Sequence, residues 1–138
     1  MRLTLDNPAG VPAPYGDRFA NVARIDHGDG ALLLLSGQAG VDDAGVVVGP
    51  GDVVAQSERI FAVAGALLAA HGATFADVAH VRTFLTDLRD LPAYGSVRDR
   101  HFGTPPASTT VEVSQLFLPG LVIEVEFVAI VRAQASGG

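Results

Sequence analysis

The sequence predicts an α+β domain in which two helices pack on one face of a mixed, mostly antiparallel sheet. Strand-like runs lie near both ends of the chain, and an amphipathic helical run of about 18 residues lies between them, followed by a β-branched run and a shorter helical run. The 138 residues contain no internal repeat and no linker, so we expect a single domain over residues 1–138. The second face of the sheet needs a cover, and we expect a partner subunit to provide it.

The first part of the chain indicates a β-hairpin. Residues 1–16 are rich in Pro, Gly and Asn and are predicted to form an extended segment that lies over other structure. Residues 19–26 alternate between apolar and polar side chains and predict a strand; 27–30 predict a turn and 31–38 a buried strand. A short strand or loop is expected at 41–49.

A long helix is predicted to begin after Asp52, a suitable N-cap, and to end at Gly72. Its polar face is predicted to carry Gln56, Glu58 and Arg59. The apolar residues that share its other face are Val53, Ile60, Phe61, Ala64, Leu67 and Leu68.

The second half of the chain predicts one more helix and three strands. In chain order these are a strand at 77–88, a helix at 90–103 that includes His101, a strand at 107–113 and a long final strand at 121–131. Pro92 is compatible with the first turn of that helix, and Pro105-Pro106 excludes its continuation. Residues 134–138 are predicted to be a frayed tail.

The composition restricts the possible sites and partners. The chain has no Cys, and all nine basic residues are Arg, which excludes disulfides, thiolate nucleophiles and Schiff-base lysines. A net charge of −6 argues against nucleic acid as a partner. The four histidines lack metal-ligand spacing and the glycines form no nucleotide-binding motif, so we expect neither a metal nor another cofactor.

Hydrophobic residues make up 49% of the chain and charged residues only 17%, a balance that favours an oligomer with apolar surface hidden between subunits. No apolar run approaches the roughly 18 residues that a spanning helix needs, so we expect no membrane partner. The N-terminus lacks the apolar stretch of a signal peptide, so a cytoplasmic location is expected.

Two glutamates in the last strand are the first candidate catalytic groups. Glu124 and Glu126 are two residues apart, so they lie on the same face, while Ile123 and Val125 lie on the core face. A carboxylate between valines is desolvated, which raises its pKa and suits a proton shuttle. The alternative is that both glutamates pair with arginines across a subunit interface.

Ser36, Gly37 and Arg82 are candidate ligand contacts. The Ser-Gly pair at a strand end lets a ligand approach the backbone, and the hydroxyl can donate a hydrogen bond to it. Arg82 lies inside a predicted strand on the same side as His80 and Phe84. It is either a carboxylate clamp or the ion-pair partner of a glutamate at a subunit interface.

Three blocks of sequence together resemble the RidA family, also called YjgF or L-PSP, over residues 19–132. They are "LLLLSGQAG", "GATFADVAHVRTFLTDLRDLPAY" and "PPASTTVEVSQL…GLVIEVEFVAIV". The resemblance implies an α+β fold similar in shape to a small chorismate mutase, assembled as a homotrimer with clefts between subunits. It also implies hydrolysis of imines and enamines such as 2-aminoacrylate, with release of ammonia and a 2-oxo acid.

The resemblance also assigns roles to individual residues. Glu124 matches the family's water-positioning glutamate, Ser36-Gly37 its cleft-lining Ser-Gly pair, and Thr110 a position often held by cysteine. The family's N-terminal aromatic residue corresponds to either Tyr15 or Phe19.

The family's arginine that grips the substrate carboxylate corresponds to Ser108, in "PPASTTVEV". Serine cannot form the bidentate bond of an arginine with a carboxylate, and loss of a charged hydrogen bond costs about 1.5–3 kcal/mol. We therefore expect an arginine-lacking member of the family that acts on a small imine, enamine or related carbonyl-derived metabolite other than 2-aminoacrylate, as a hydrolase, deaminase or tautomerase. The alternative is a regulatory protein that binds a metabolite without catalysis.

Overall fold

A computed structural model describes residues 1–133 as two helices packed on a six-stranded sheet. The predicted frayed tail, 134–138, lies outside the described residues. The elements, in chain order, are β1 (Arg2–Asp6), β2 (Val22–His27), β3 (Gly30–Ala39), α1 (Val53–Ala70), β4 (Val78–Leu85), α2 (Leu91–Asp99), β5 (Ala107–Glu112) and β6 (Ile123–Val131).

The strand order in the sheet is β1-β2-β3-β6-β4-β5. Every neighbouring pair is antiparallel except β4 and β5, which are parallel. The mixed, mostly antiparallel sheet with two helices is therefore confirmed, and it brings the last strand of the chain to the sheet centre.

The helices and the core face agree with the amphipathic patterns. Asp52 caps α1 by accepting hydrogen bonds from the amides of Val54 and Ala55. All six residues predicted for the apolar face of α1 are buried. Alternate residues of β6, from Ile123 to Ala129, are buried against the helices, which confirms the predicted core face of this strand.

The structure is more specific than the sequence at two places. Within the N-terminal segment, which was predicted to be extended, residues 2–6 form an edge strand, β1, that pairs with β2. The run at 41–49, predicted as a strand or loop, is a loop with a single bridge between Val41 and Val47. Edge strands are short and take their hydrogen bonds from one neighbour, so their local sequence signal is weak.

Helix α2 ends at Asp99, so His101 lies just beyond the helix rather than within it. Its ring stacks on Phe61 with a centroid distance of 4.6 Å. Desolvation by this packing, more than the neighbouring Arg100, lowers the pKa of His101 below its ordinary value of 6.5. The histidine is thus part of the junction between α1 and the end of α2.

Helix α1 is long and apolar enough, by composition alone, to cross a membrane. Half of the helix is buried inside the chain, against the sheet and α2. This burial is typical of the core helix of a globular domain.

Gln56 was predicted on the polar face of α1 but is fully buried. Its amide nitrogen donates to the carbonyl oxygens of Gly49 at 3.1 Å and Gly120 at 2.8 Å, and its oxygen accepts from the amide of Val122 at 2.9 Å. The side chain therefore joins the first turns of α1 to the loops that precede α1 and β6. Helical periodicity cannot reveal this contact, because the partners lie in other segments.

We expect Gln56→Met to lower the free energy of unfolding by about 2–4 kcal/mol, because buried backbone groups lose their partners. Chemical denaturation at a fixed protein concentration measures the loss. The matched control is Gln115→Met at an exposed loop position, with an expected change within about 0.5 kcal/mol. Equal effects of the two substitutions would contradict the role assigned to Gln56.

The face of the sheet opposite the helices is open and largely apolar near its centre. Two cross-strand rows follow from the register, Leu3–Ile25–Leu32–Ile130 and Leu5–Ala23–Leu34–Val128. Leu32, Leu34 and Ile130 are each more than a third exposed. We call these two rows the apolar sheet face.

Candidate active site

A β-bulge shapes the candidate site at the centre of the sheet. In the pairing of β3 with β6, Leu35 is opposite Phe127 and Gln38 is opposite Val125. The two residues Ser36 and Gly37 therefore face a single residue, Glu126. The bulge places the backbone of β3 directly beside the carboxylate-bearing face of β6.

Gly37 allows the side chain of Glu124 to lie against this bulge. A Cβ atom at position 37 would lie 2.5 Å from Oε2 of Glu124 and 2.8 Å from its Cδ. These distances are too short for any side chain, so glycine is the one residue that leaves room for the glutamate as observed. Gly37 and Glu124, each predicted separately as a site residue, are thus in direct contact in the structure.

Glu124 is the half-buried carboxylate of the site. Desolvation, and to a smaller extent the charge of Glu126, raises its pKa above the ordinary value of 4.5. Within residues 1–133 no hydrogen bond or cation offsets this effect. A raised pKa makes such a carboxylate better suited than an ordinary glutamate both to accept and to donate a proton.

Glu126 lies in a different environment. Its Oε1 accepts a hydrogen bond from Nη1 of Arg82 at 2.7 Å, and the two residues are cross-strand neighbours. Arg82 therefore pairs with a glutamate of its own chain and is not a free carboxylate clamp. Phe84, the other candidate on β4, is the cross-strand neighbour of Glu124 and lies on the same face.

A cavity of about 450 Å³ opens in front of Glu124, and we call it the Glu124 cavity. Both candidates for the N-terminal aromatic residue, Tyr15 and Phe19, line it. The complete lining is Tyr15, Arg18, Phe19, Ser36, Gly37, Phe117, Glu124 and Glu126.

Sequence reasoning missed Phe117 and Arg18 as lining residues. The ring of Phe117 lies 5.6 Å from that of Tyr15, and both are more than half exposed. An exposed aromatic residue close to the Pro119-Gly120 turn was a signal for Phe117. For Arg18 the signal was its position next to Phe19 in a segment without regular structure.

The hydroxyl of Ser36 donates to the carbonyl oxygen of Ala20 at 2.6 Å. The expectation was that this hydroxyl donates to a ligand. In the structure its proton is directed at the backbone, so the oxygen is left to accept a hydrogen bond.

Ser108 and Thr110 do not meet the Glu124 cavity within one chain. Both lie on the edge strand β5, which β4 separates from β6. The register pairs Ser108 with Val81 and Thr110 with Thr83, both on the helix side of the sheet. Ser108 lines a separate cavity of about 240 Å³ together with Arg98 and Phe102 of the α2 region.

Metal-ligating side chains do not cluster in the described part of the chain. No group of three or more His, Cys, Asp or Glu residues there has the spacing to hold an ion.

Comparison with known proteins identifies the family. The sequence model of the family described as Endoribonuclease L-PSP matches residues 18–131. The chain belongs to the L-PSP (RidA) family. The match includes the bulge, Glu124 and Ser108, but begins after Tyr15.

Several named proteins are similar to this chain over most of both lengths. Protein DfrA of Myxococcus xanthus is 42% identical over 113 residues, which cover 81% of this chain and 84% of that protein. The 2-iminobutanoate/2-iminopropanoate deaminase of Capra hircus is 31% identical and covers 88% of this chain and 85% of its own. The crystal structure of RidA from an Antarctic Psychrobacter has a TM-score of 0.77 at 29% identity, covering 93% of this chain and 98% of that one.

We expect Glu126→Gln to lower the pKa of Glu124. The substitution removes the neighbouring negative charge and releases the cation of Arg82, and both changes favour ionised Glu124. Titration of the side-chain carboxyl carbons by NMR measures the shift. Glu58→Gln is the matched control, because it also removes a glutamate paired with an arginine, Arg100, but on the surface of α1. An unchanged Glu124 titration in Glu126→Gln would contradict the coupling.

Proposed function

We propose that this protein hydrolyses a small imine or enamine, with Glu124 as the acid/base group. The observation that carries the proposal is the desolvated, unpaired carboxylate of Glu124 against Gly37 at the mouth of a cavity. The name of the relative from Capra hircus, an imino-acid deaminase, supports this class of reaction.

Glu124 has two tasks in the proposed reaction. Ionised, it accepts a proton from a water molecule whose oxygen forms a bond to the imine carbon, and it returns that proton to the nitrogen to give a carbinolamine. It then accepts the proton of the carbinolamine hydroxyl and donates it to the nitrogen as the carbon–nitrogen bond breaks, which releases ammonia and leaves a carbonyl group. A raised pKa suits a group that gains and loses a proton in each of these two steps. An enamine enters the same sequence after a proton moves to its β-carbon.

The substrate that we propose is not 2-aminoacrylate. Ser108 occupies the position where the family pattern has its carboxylate-binding arginine, and a hydroxyl carries no charge. Arg82, the other candidate, is already paired with Glu126. A ligand as small as aminoacrylate would lose much of its binding energy without that contact.

We also propose that the working form is a homotrimer whose clefts lie between subunits. The apolar sheet face supports this assembly, since it exposes rows of leucine and isoleucine that one chain does not cover. Ser108 and Thr110 on β5 would then reach the Glu124 cavity from a neighbouring subunit. Within one chain both residues lie on β5, away from this cavity.

Cleavage of RNA is not part of the proposal, although the family description contains the word endoribonuclease. The chain has a net charge of −6 and no lysine. Such a composition disfavours contact with a phosphate backbone.

We expect Glu124→Gln to lower kcat/KM for imine hydrolysis by about 10²- to 10⁴-fold, the range for loss of a general acid/base. Ammonia release from 2-imino acids formed in situ by an amino acid oxidase measures the rate. Glu58→Gln is the control and should keep wild-type activity. If neither the wild type nor the variant turns over an imine but both still bind a ligand, the result would contradict the proposed enzymatic activity and favour the metabolite-binding alternative.

Glu124→Gln should be no less stable than the wild type at pH 7, so that lost activity does not reflect unfolding. The pKa of Glu124 is raised in the folded state above the ordinary 4.5, so its contribution to stability is lost as the pH rises from that value through the raised pKa. Thermal midpoints of both proteins at pH 7 and pH 4 test this sign. Any excess of the thermal midpoint of Glu124→Gln over that of the wild type at pH 7 should vanish at pH 4.

We expect Leu34→Arg to dissociate the trimer, because it places a charge in the middle of the apolar sheet face. Sedimentation velocity measures the mass, and activity should fall with it if the cleft lies between subunits. Val54→Arg is the matched control, since Val54 is 41% exposed on α1 and Leu34 is 38% exposed on the sheet. A monomeric wild type, or an unchanged mass in Leu34→Arg, would contradict the assembly.

A further inference from the structure

An arginine without an ion-pair partner lines the Glu124 cavity. Seven of the nine arginines form an ion pair within residues 1–133, and only Arg2 and Arg18 do not. Arg2 lies on the edge strand β1, whereas Arg18 is one of the residues that line the Glu124 cavity. Arg18 is also the only basic residue among those that line the cavity in the described part of the chain.

The backbone before Arg18 is held in an unusual conformation. Gly16 and Asp17 both have positive φ, 64° and 53°, and Asp17 is the only non-glycine residue with positive φ among residues 1–133. This conformation costs free energy for a side chain other than glycine, and such residues cluster at ligand sites. The result is a tight turn that presents Tyr15, Arg18 and Phe19 to the same cavity.

The stem of Arg18 folds back over this turn. Its Cγ, Cδ and Nε atoms lie 3.5 to 3.7 Å from the place that a Cβ atom of residue 16 would occupy. The stem is therefore packed against the turn that lines the cavity, while the residue as a whole is exposed to solvent.

Neither glutamate of the cavity forms an ion pair with Arg18. Glu126 is bound by Arg82. Glu124 forms no ion pair within residues 1–133, and its pKa is raised by burial and, to a smaller extent, by the charge of Glu126. The cavity therefore contains two separate groups: Glu124, the proposed acid/base group, and Arg18, a cation that can bind a ligand.

We propose that Arg18 binds the carboxylate of the substrate, which is a 2-imino acid, or its enamine tautomer, with a large apolar or aromatic side chain. A guanidinium can bind a carboxylate through two parallel hydrogen bonds. The rings of Tyr15, Phe19 and Phe117 supply apolar contact for the side chain. This inference rests on the proposed function. It assigns the carboxylate contact to Arg18 and not to position 108, which lies on β5.

Binding of a stable substrate analogue tests the anion site without catalysis. The probes are 3-phenylpropanoate and its neutral isostere 3-phenylpropanamide, titrated by calorimetry into wild type, Arg18→Gln, Arg18→Lys and the control Arg2→Gln. Wild type and Arg2→Gln should bind the carboxylate about 10- to 100-fold more tightly than the amide. Arg18→Gln should lose that preference, and Arg18→Lys should restore part of it. Equal affinity of wild type for both probes, or an unchanged preference in Arg18→Gln, overturns the proposal.

A second arm separates this proposal from the proposed function. Imines that differ only by the carboxylate are formed in situ from phenylalanine by an amino acid oxidase and from 2-phenylethylamine by an amine oxidase. Wild type should prefer the carboxylate-bearing imine, and Arg18→Gln should raise KM for it while largely keeping kcat. Binding through Arg18 without turnover of either imine refutes the hydrolase and supports the anion site. Equal turnover of both imines, unaffected by Arg18→Gln, refutes the anion site and supports the hydrolase.

Discussion

The pairing of β3 with β6 is the contact on which the rest of the molecule depends. These strands lie at the centre of the sheet, and alternation along both of them separates a face buried under the helices from an open face. The interruption of the same pairing at Ser36-Gly37 produces the bulge against which Glu124 lies. One strand pair thus provides the core and positions Glu124, the proposed acid/base group, so a substitution that shifts its register would disturb both.

The two glutamates of β6 differ because their cross-strand neighbours differ. The register places Arg82 opposite Glu126 and Phe84 opposite Glu124. An arginine neutralises one carboxylate, while the other remains unpaired and desolvated. Burial, and to a smaller extent the charge of Glu126, therefore raises the pKa of Glu124.

The edges of the sheet explain why one chain holds only part of the expected cleft. Ser108 and Thr110 lie on β5, at the far edge from β1, and face the helix side. The Glu124 cavity instead belongs to the sheet centre and to the turn around Gly16 and Asp17. A trimer in which β5 of one subunit approaches the cavity of the next would join these two groups of residues, and the same assembly would cover the apolar sheet face.

The sequence by itself determined the class of fold, the limits of α1, the hairpin of β2 and β3, and the face of β6 that enters the core. Each depends on a repeat of polarity or a cap within one segment, such as Asp52 before α1. Tertiary structure alone decided that Gln56 is buried, that residues 2–6 form a strand, that Arg82 binds Glu126, and that Arg18 and Phe117 reach the Glu124 cavity. These outcomes depend on strand register and on loops that meet from distant parts of the chain, and local periodicity contains no information about either.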